Sequence, residues 1–203
     1  MRLLELFCGT KSVSKAIGLH FTEVISLDIC PEFEPTILED ILSWDYKVYP
    51  PGFFHTIWAS PPCQEFSCLN NARPEKVPNL ALADSLVLKA IEIIEYFNPE
   101  RFFIENPQSG TLKDRPYMLG LPFVDMDYCR FGFPYKKRTR FWTTEGLSSK
   151  LCQGPRRCPG MVGRRHKNAI GNSTYEEFWL TPGKRLEQRY SIPEGVIKEL
   201  FGI

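Results

Sequence analysis

Leu3-Leu4-Glu5-Leu6-Phe7-Cys8-Gly9-Thr10 opens the chain with a short, mostly apolar run that stops on a cysteine, a glycine and a hydroxyl residue. Ser12 to Leu19 follows, with Val13, Ala16 and Ile17 at helical spacing. An apolar run closed by glycine and succeeded by a 3.6-residue period reads as strand, tight turn, helix. The alternation continues downstream. Val24-Ile25-Ser26-Leu27-Asp28 predicts a second strand ending on an acid, and Ile37 to Leu42, carrying Glu39-Asp40, predicts a short third. Phe53-Phe54-His55-Thr56-Ile57-Trp58-Ala59 is aromatic and β-rich, and Pro61-Pro62 prevents its continuation.

Between Leu80 and Phe97, apolar residues at Leu82, Leu86, Ala90, Ile93, Ile94 and Phe97 predict a long helix, closed by Asn98-Pro99. Phe102-Phe103-Ile104-Glu105 follows at once as a buried strand. Alternating strands and helices imply an open, mostly parallel α/β sheet with right-handed crossovers. Such sheets bind ligands beyond the carboxyl ends of their strands. Cys8-Gly9, Asp28, Asp40, Pro61-Pro62-Cys63 and Glu105 all fall at those ends, so one sheet edge should collect them. Past Pro107 the pattern becomes irregular: Arg140-Phe141-Trp142-Thr143 is compatible with a strand, Ser148 to Ser173 with a loop or small inserted module, and Pro193 to Phe201 with a short helix.

At 203 residues the chain has room for one domain, read here as 1–203 with a small basic Cys/His insert at 144–179. A composition of 43% hydrophobic, 13% aromatic and 24% charged residues is that of a globular protein, which excludes a disordered chain. No apolar run approaches the roughly 20 residues that span a bilayer. The expected location is therefore the cytosol, or a nucleus or viral factory continuous with it, with no membrane partner. Seven scattered cysteines argue for reduced thiols rather than a disulfide framework. The formal net charge of +1 is uninformative, but its distribution is not: Lys136, Lys137, Arg138 and Arg140 are followed by Arg156, Arg157, Arg164, Arg165, His166 and Lys167. Such runs are either a solvated face or a nucleic-acid contact.

Phe7-Cys8-Gly9-Thr10, Asp28, Asp40-Ile41, Pro61-Pro62-Cys63-Gln64, Glu105-Asn106-Pro107 and Arg138-Thr139-Arg140 occur in the order of the signature blocks of the cytosine-5 DNA methyltransferases. The chain resembles that family over roughly its first 140 residues, and most resembles its compact members in phages and large DNA viruses. The resemblance implies a Rossmann-like, S-adenosylmethionine-dependent fold with helices on both faces of the sheet. It also implies DNA as the partner and methyl transfer to C5 of a cytosine flipped out of the stack.

The chemistry can be argued beside the resemblance. C5 of cytosine is a poor nucleophile until a nucleophile adds at C6, and a thiolate is suited to that addition. Pro61-Pro62 fix the backbone before Cys63, and Gln64 to Ser67 can form a loop closing over the base. Negative charge then builds on the ring. Glu105, at the mouth of an apolar strand, has surroundings that favour its acid form and could serve N3 and the exocyclic amine. By resemblance, Asn106 holds the loop, and Arg138 and Arg140 contact the base oxygen and orient the thiol. Tyr135-Lys136-Lys137 departs from the family's usual Pro-Gln-x before that block, and Pro107 stands where valine is usual.

For the cofactor, Gly9 would allow close backbone approach beside Phe7, Thr10 and Pro61. Asp28 would accept the ribose hydroxyls, Asp40 would take the adenine amino group, and Ile29 and Ile41 would sandwich the ring. Leu180 to Gln188 and Ser191-Ile192-Pro193 faintly resemble the closing blocks, the second packing beside the cofactor. Family members usually carry a large target-recognition domain before those blocks, where this chain has only about 40 residues. Within them Cys152, Cys158 and His166, with Cys129 upstream, could bind a structural zinc ion. Two other readings fit the same residues: cytosine-5 methylation of RNA or a free nucleotide, and a catalytically silent protein that binds DNA or a partner. Oligomeric state is not legible.

Overall fold

The computed structural model describes residues 1–68, 75, 77–167 and 190–203. Among them, seven strands form one sheet: β1 (Arg2–Leu6), β2 (Glu23–Asp28), β3 (Ile37–Leu38), β4 (Thr56–Ala59), β5 (Arg101–Pro107), β6 (Phe123–Asp127) and β7 (Arg138–Trp142). Their spatial order is β3-β2-β1-β4-β5-β7-β6. The pairs β1–β2, β1–β4, β2–β3 and β4–β5 are parallel, whereas β7 runs antiparallel to both β5 and β6. From β1 the chain adds β2 and β3 on one side and then crosses back to add β4 and β5 on the other, which makes the end of β1 the topological switch point where α/β sheets open a crevice.

Side-chain alternation sends each strand's residues to two cores. Leu4, Leu6, Ile57 and Ile104 pack against helix α2 (Leu80–Phe97) through Ala83, Val87, Ala90, Ile94 and Phe97. Leu3, Trp58, Phe103 and Phe141 pack on the opposite face against helices α1 (Ser12–Ile17) and α3 (Glu194–Phe201) through Val13, Ile17, Val196, Ile197 and Leu200. Helices on both faces are the expected doubly wound arrangement, and each fully buried large side chain contributes about 1.5–3 kcal/mol. Helix α2 begins where the Asn79 side chain accepts the Leu82 N–H at 3.1 Å and ends on Asn98 in the left-handed conformation, before Pro99. No helix among the described residues is long and apolar enough to cross a membrane.

Strand β6 was not expected from the sequence. Phe123-Val124-Asp125-Met126-Asp127 carries two acids in five residues, which reads as polar loop until its partner is known. Asp125 and Asp127 lie directly opposite Arg140 and Arg138 on β7, and each acid forms a bidentate pair with its arginine. The charges that argued against a strand are satisfied across it.

Candidate active site

The carboxyl edge of the sheet bounds a cavity of about 410 Å³, a size suited to a small-molecule ligand. Phe7, Cys8, Gly9 and Thr10 line it from the β1–α1 turn, Asp28 and Ile29 from the end of β2, and Asp40 and Ile41 from beyond β3. Pro61, Cys63 and Gln64 enter from beyond β4 and Glu105 from β5. From Asp28 to Glu105 is three inter-strand steps, on the order of 14 Å at ~4.8 Å each. That span accommodates an adenosine with an amino-acid tail at the β1–β2 side and a base at the β4–β5 side.

The turn after β1 is unusually curled, with Phe7 (φ 54°), Gly9 (46°) and Lys11 (55°) all left-handed. Its curl lets the Gly9 N–H donate to Asp28 Oδ2 at 2.9 Å, while the Cys30 N–H donates to Oδ1 at 2.9 Å. A carboxylate has about four acceptor positions, so these two bonds fix Asp28 and leave capacity for ribose hydroxyls. Asp40 is held similarly by the Leu42 N–H at 2.9 Å. Ile41 is buried and Ile29 largely exposed, and Phe33 supplies a further apolar wall. These residues fit S-adenosylmethionine: hydroxyl acceptors on a rigid strand end, apolar walls for a purine, and a close backbone turn. The Lys11 ammonium bonds the Glu34 carbonyl, away from the cavity.

Beneath that turn, buried Glu5 accepts the Val13 and Ser14 N–H groups at 3.3 and 3.2 Å and so caps α1 from below. Burial pushes its carboxyl up to about 7 against those bonds. Two cysteines face the cavity, and their surroundings distinguish them. Burial, then the charges of Glu5 and Asp28, push the Cys8 thiol up to about 12, which makes it a poor nucleophile. Burial and then Glu105 also raise Cys63, but Lys137 opposes them.

The segments carrying Cys63 and Glu105 are tied together. Asn106, next to Glu105, donates from Nδ2 to the Pro61 carbonyl at 2.9 Å. Burial raises the Glu105 pKa, opposed by Lys137 and by a hydrogen bond with the Ser60 hydroxyl. That hydroxyl accepts the Trp58 indole N–H at 2.9 Å, which leaves its proton to be donated to Glu105. Gln64 Nε2 donates to the Tyr190 hydroxyl at 3.2 Å. The turn from Gln64 is anchored early: Phe66 is fully buried and its carbonyl accepts the Thr111 N–H at 2.8 Å. In the 64–67 segment, expected as a loop closing over the base, Phe66 is thus packed into the core.

The chain was also compared with known proteins. No family model matches it. A protein of Frog virus 3 (isolate Goorha) named "Probable DNA (cytosine-5)-methyltransferase" is 34% identical over 220 residues, an alignment covering the whole of both chains. The chain belongs to the DNA (cytosine-5)-methyltransferases. Solved structures agree on the fold. The S. pombe Dnmt2 methyltransferase superposes with a TM-score of 0.51 at 18% identity over 75% of this chain. The Entamoeba histolytica methyltransferase EhMeth gives 0.51 at 16% over 75%. The matched parts span 55% and 57% of those two structures.

In this methyltransferase the arginine pair lies elsewhere than the signature suggested. Arg138 and Arg140 are committed to Asp127 and Asp125, at 2.9–3.0 and 2.8–2.9 Å, and neither lines the cavity. Lys137 does. The reason is parity: Glu105 is paired with Phe141, so alternate residues Thr139 and Lys137 share its side of the sheet while Arg138 and Arg140 share the other. Because β7 is antiparallel, its first residues sit at the carboxyl edge of the parallel strands. Ser191 does not line the cavity either, although Tyr190 and Ile192 beside it do. The Ile192 N–H donates to Ser12 Oγ at 3.1 Å, which fixes this segment over the β1–α1 turn. Leu82 and Leu86, which helped mark the helix by their spacing, also line the cavity, and Leu86 packs against the core as well. The resemblance at Leu180–Gln188 and the insert beyond residue 167 lie outside the described residues.

These electrostatics predict the reactivity of the free protein. Alkylation of Cys63 by iodoacetamide, which follows the thiolate, should have a pH midpoint above that of an ordinary thiol. Lys137→Met should move it higher still, and Glu105→Gln should move it lower. A midpoint unmoved by either change, measured by peptide mass spectrometry, would show that neither charge acts on the thiol.

Proposed function

We propose that this chain transfers the methyl group of S-adenosylmethionine to C5 of cytosine in DNA through a covalent bond between Cys63 and C6. The observation that carries the reading is that Cys63, with the Lys137 ammonium and the buried Glu105 acting on it, shares one cavity with the Asp28 and Asp40 carboxylates. S-adenosylmethionine, when bound, supplies an electrophilic methyl group on a sulfonium. Asp28, Asp40, Ile29 and Ile41 hold its nucleoside, with Gly9 and Thr10 beneath.

The half-buried Cys63 adds as a thiolate to C6 of the extruded base, which makes C5 nucleophilic towards the methyl carbon. Charge developing on the ring is met by Glu105, whose burial favours the acid form that can donate at N3. Ser60, oriented by Trp58, steadies that carboxyl. Lys137 occupies the place expected of the arginine pair, where a cation can face the base oxygen and draw the Cys63 proton equilibrium towards thiolate. Loss of the C5 proton to water then expels the Cys63 thiolate as the C5–C6 double bond re-forms, and N3 returns its proton to Glu105, which regenerates the enzyme.

DNA is favoured as the polymer by the Frog virus 3 relative's name and by the exposed Arg156, Arg157, Arg164 and Arg165, placed to meet phosphates. The test is incubation with methyl-labelled S-adenosylmethionine and either duplex DNA or RNA, followed by nucleoside analysis. Label in 5-methyldeoxycytidine is expected. Label confined to 5-methylcytidine would overturn the DNA reading, and label in neither would overturn the activity.

A further inference from the structure

The segment after β7 has almost no apolar interior of its own. From Gly146 to Lys167, Cys158 is the only hydrophobic side chain that is fully buried, while Arg156, Arg157, Arg164, Arg165 and Lys167 are exposed. A hairpin of β8 (Met161–Val162) and β9 (Arg165–His166), two residues a strand, cannot supply the missing stability. Something else must hold this module in one conformation.

Four donors from separate points of the chain meet at its base. Cys129 comes from the short helix after β6, Cys152 and Cys158 from the module, and His166 from β9. Their Sγ and ring nitrogen atoms all lie within 4.8 Å of one another. The His166 Nε2 stands 3.5 Å from both Cys152 Sγ and Cys158 Sγ. In a tetrahedral site with Zn–N of ~2.05 Å and Zn–S of ~2.3 Å, the N···S edge is about 3.5 Å. One ring nitrogen carries either a single proton or a single lone pair, so one hydrogen bond accounts for one of these contacts and leaves the other to be explained.

The backbone around the cluster is shaped for close approach. A Cβ on Gly160 would come within 3.0 Å of the Phe133 carbonyl and 3.3 Å of the Cys129 Cβ, so only glycine lets this turn close on the sulfurs. The Met161 N–H bonds the Cys158 carbonyl at 3.1 Å and the Lys167 N–H the Gly160 carbonyl at 2.8 Å, curling Cys158–Gly160 round the cluster. On its other side the Cys152 N–H donates to Asp127 Oδ2 at 2.7 Å, and Asp127 is the buried acid that clamps Arg138. Through Asp127 the cluster is joined to β7, immediately beside Lys137.

We propose that Cys129, Cys152, Cys158 and His166 bind one structural zinc ion, which orders the basic module and fixes it to the strand that presents Lys137. Three thiolates and an imidazole fill four-coordination and make a closed site, suited to structure rather than catalysis. None of the four donors lines the Cys63 cavity.

The test is metal analysis of the full chain purified under reducing conditions from zinc-supplemented cells, with cobalt(II) exchange. About one zinc per chain is expected, together with the intense visible bands of a tetrahedral cobalt–thiolate site. Chelation should lower the midpoint of thermal unfolding, and zinc should restore it. His166→Cys should retain the metal as a four-cysteine site, whereas Cys158→Ser should reduce its content at least tenfold. Should Cys158→Ser not fold, the cobalt spectrum of the unmodified chain decides. Less than about a tenth of an equivalent of zinc with no cobalt–thiolate bands, or full zinc content in Cys158→Ser, would overturn the proposal.

Discussion

Cys63→Ala should abolish methyl transfer, lowering the rate by on the order of 10⁴-fold or more, while S-adenosylmethionine affinity changes by no more than about twofold. Without addition at C6 the ring carbon has no carbanion character, and no other group in the cavity can replace the thiol. Cys8 is the only other cysteine that lines it, and burial with two neighbouring acids pushes that thiol to about 12. Alanine should leave the fold intact, because the Asn106–Pro61 bond and buried Phe66 that set this turn do not involve the Cys63 side chain. Calorimetric titration with cofactor and a methyl-transfer assay on the same preparation separate the two quantities. Residual turnover within tenfold of the parent would remove Cys63 from the mechanism.

Glu105→Gln is expected to slow methyl transfer by about 10²–10³-fold with cofactor affinity nearly unchanged. Glutamine keeps the shape and can still donate a hydrogen bond, but it has no acidic proton to give as charge develops at N3. The effect should be specific to the chemical step, because Glu105 lies on β5 and the Asp28–Asp40 wall lies across β1 from it. Single-turnover rates, beside equilibrium binding of cofactor, provide the measurement. Comparable losses in both would mean that Glu105 supports the cavity rather than the reaction.

Much of this site could be read from the sequence because parallel strands deliver their carboxyl ends to one edge. Once Leu3–Phe7, Val24–Asp28, Phe53–Ala59 and Phe102–Glu105 were recognised as such strands, Gly9, Asp28, Cys63 and Glu105 had to converge. The arginine block was not legible in the same way. Which of Lys137, Arg138 and Arg140 faces the cavity depends on the pairing of Glu105 with Phe141, and a shift of one residue reverses the answer. The acids that claim the two arginines lie on β6, which their own charge disguised as loop. Leu82 and Leu86 show a similar limit: helical periodicity marks an apolar stripe but not whether a core or a ligand cavity meets its margin. Cys152, Cys158 and His166 were grouped by their spacing, with Cys129 upstream, and only the folded chain gives the four a common centre.

The central claim is a covalent bond from Cys63 to the target base, and it can be trapped. DNA carrying 5-fluorocytosine cannot lose fluorine from C5 as a proton is lost, so after methyl transfer the Cys63–C6 bond should persist. Incubation with that DNA and S-adenosylmethionine, followed by denaturing mass spectrometry, should show a protein–DNA adduct whose modified peptide contains Cys63. The adduct should be absent without cofactor and absent in Cys63→Ala. No adduct under turnover conditions, or one that survives in Cys63→Ala, would contradict the mechanism.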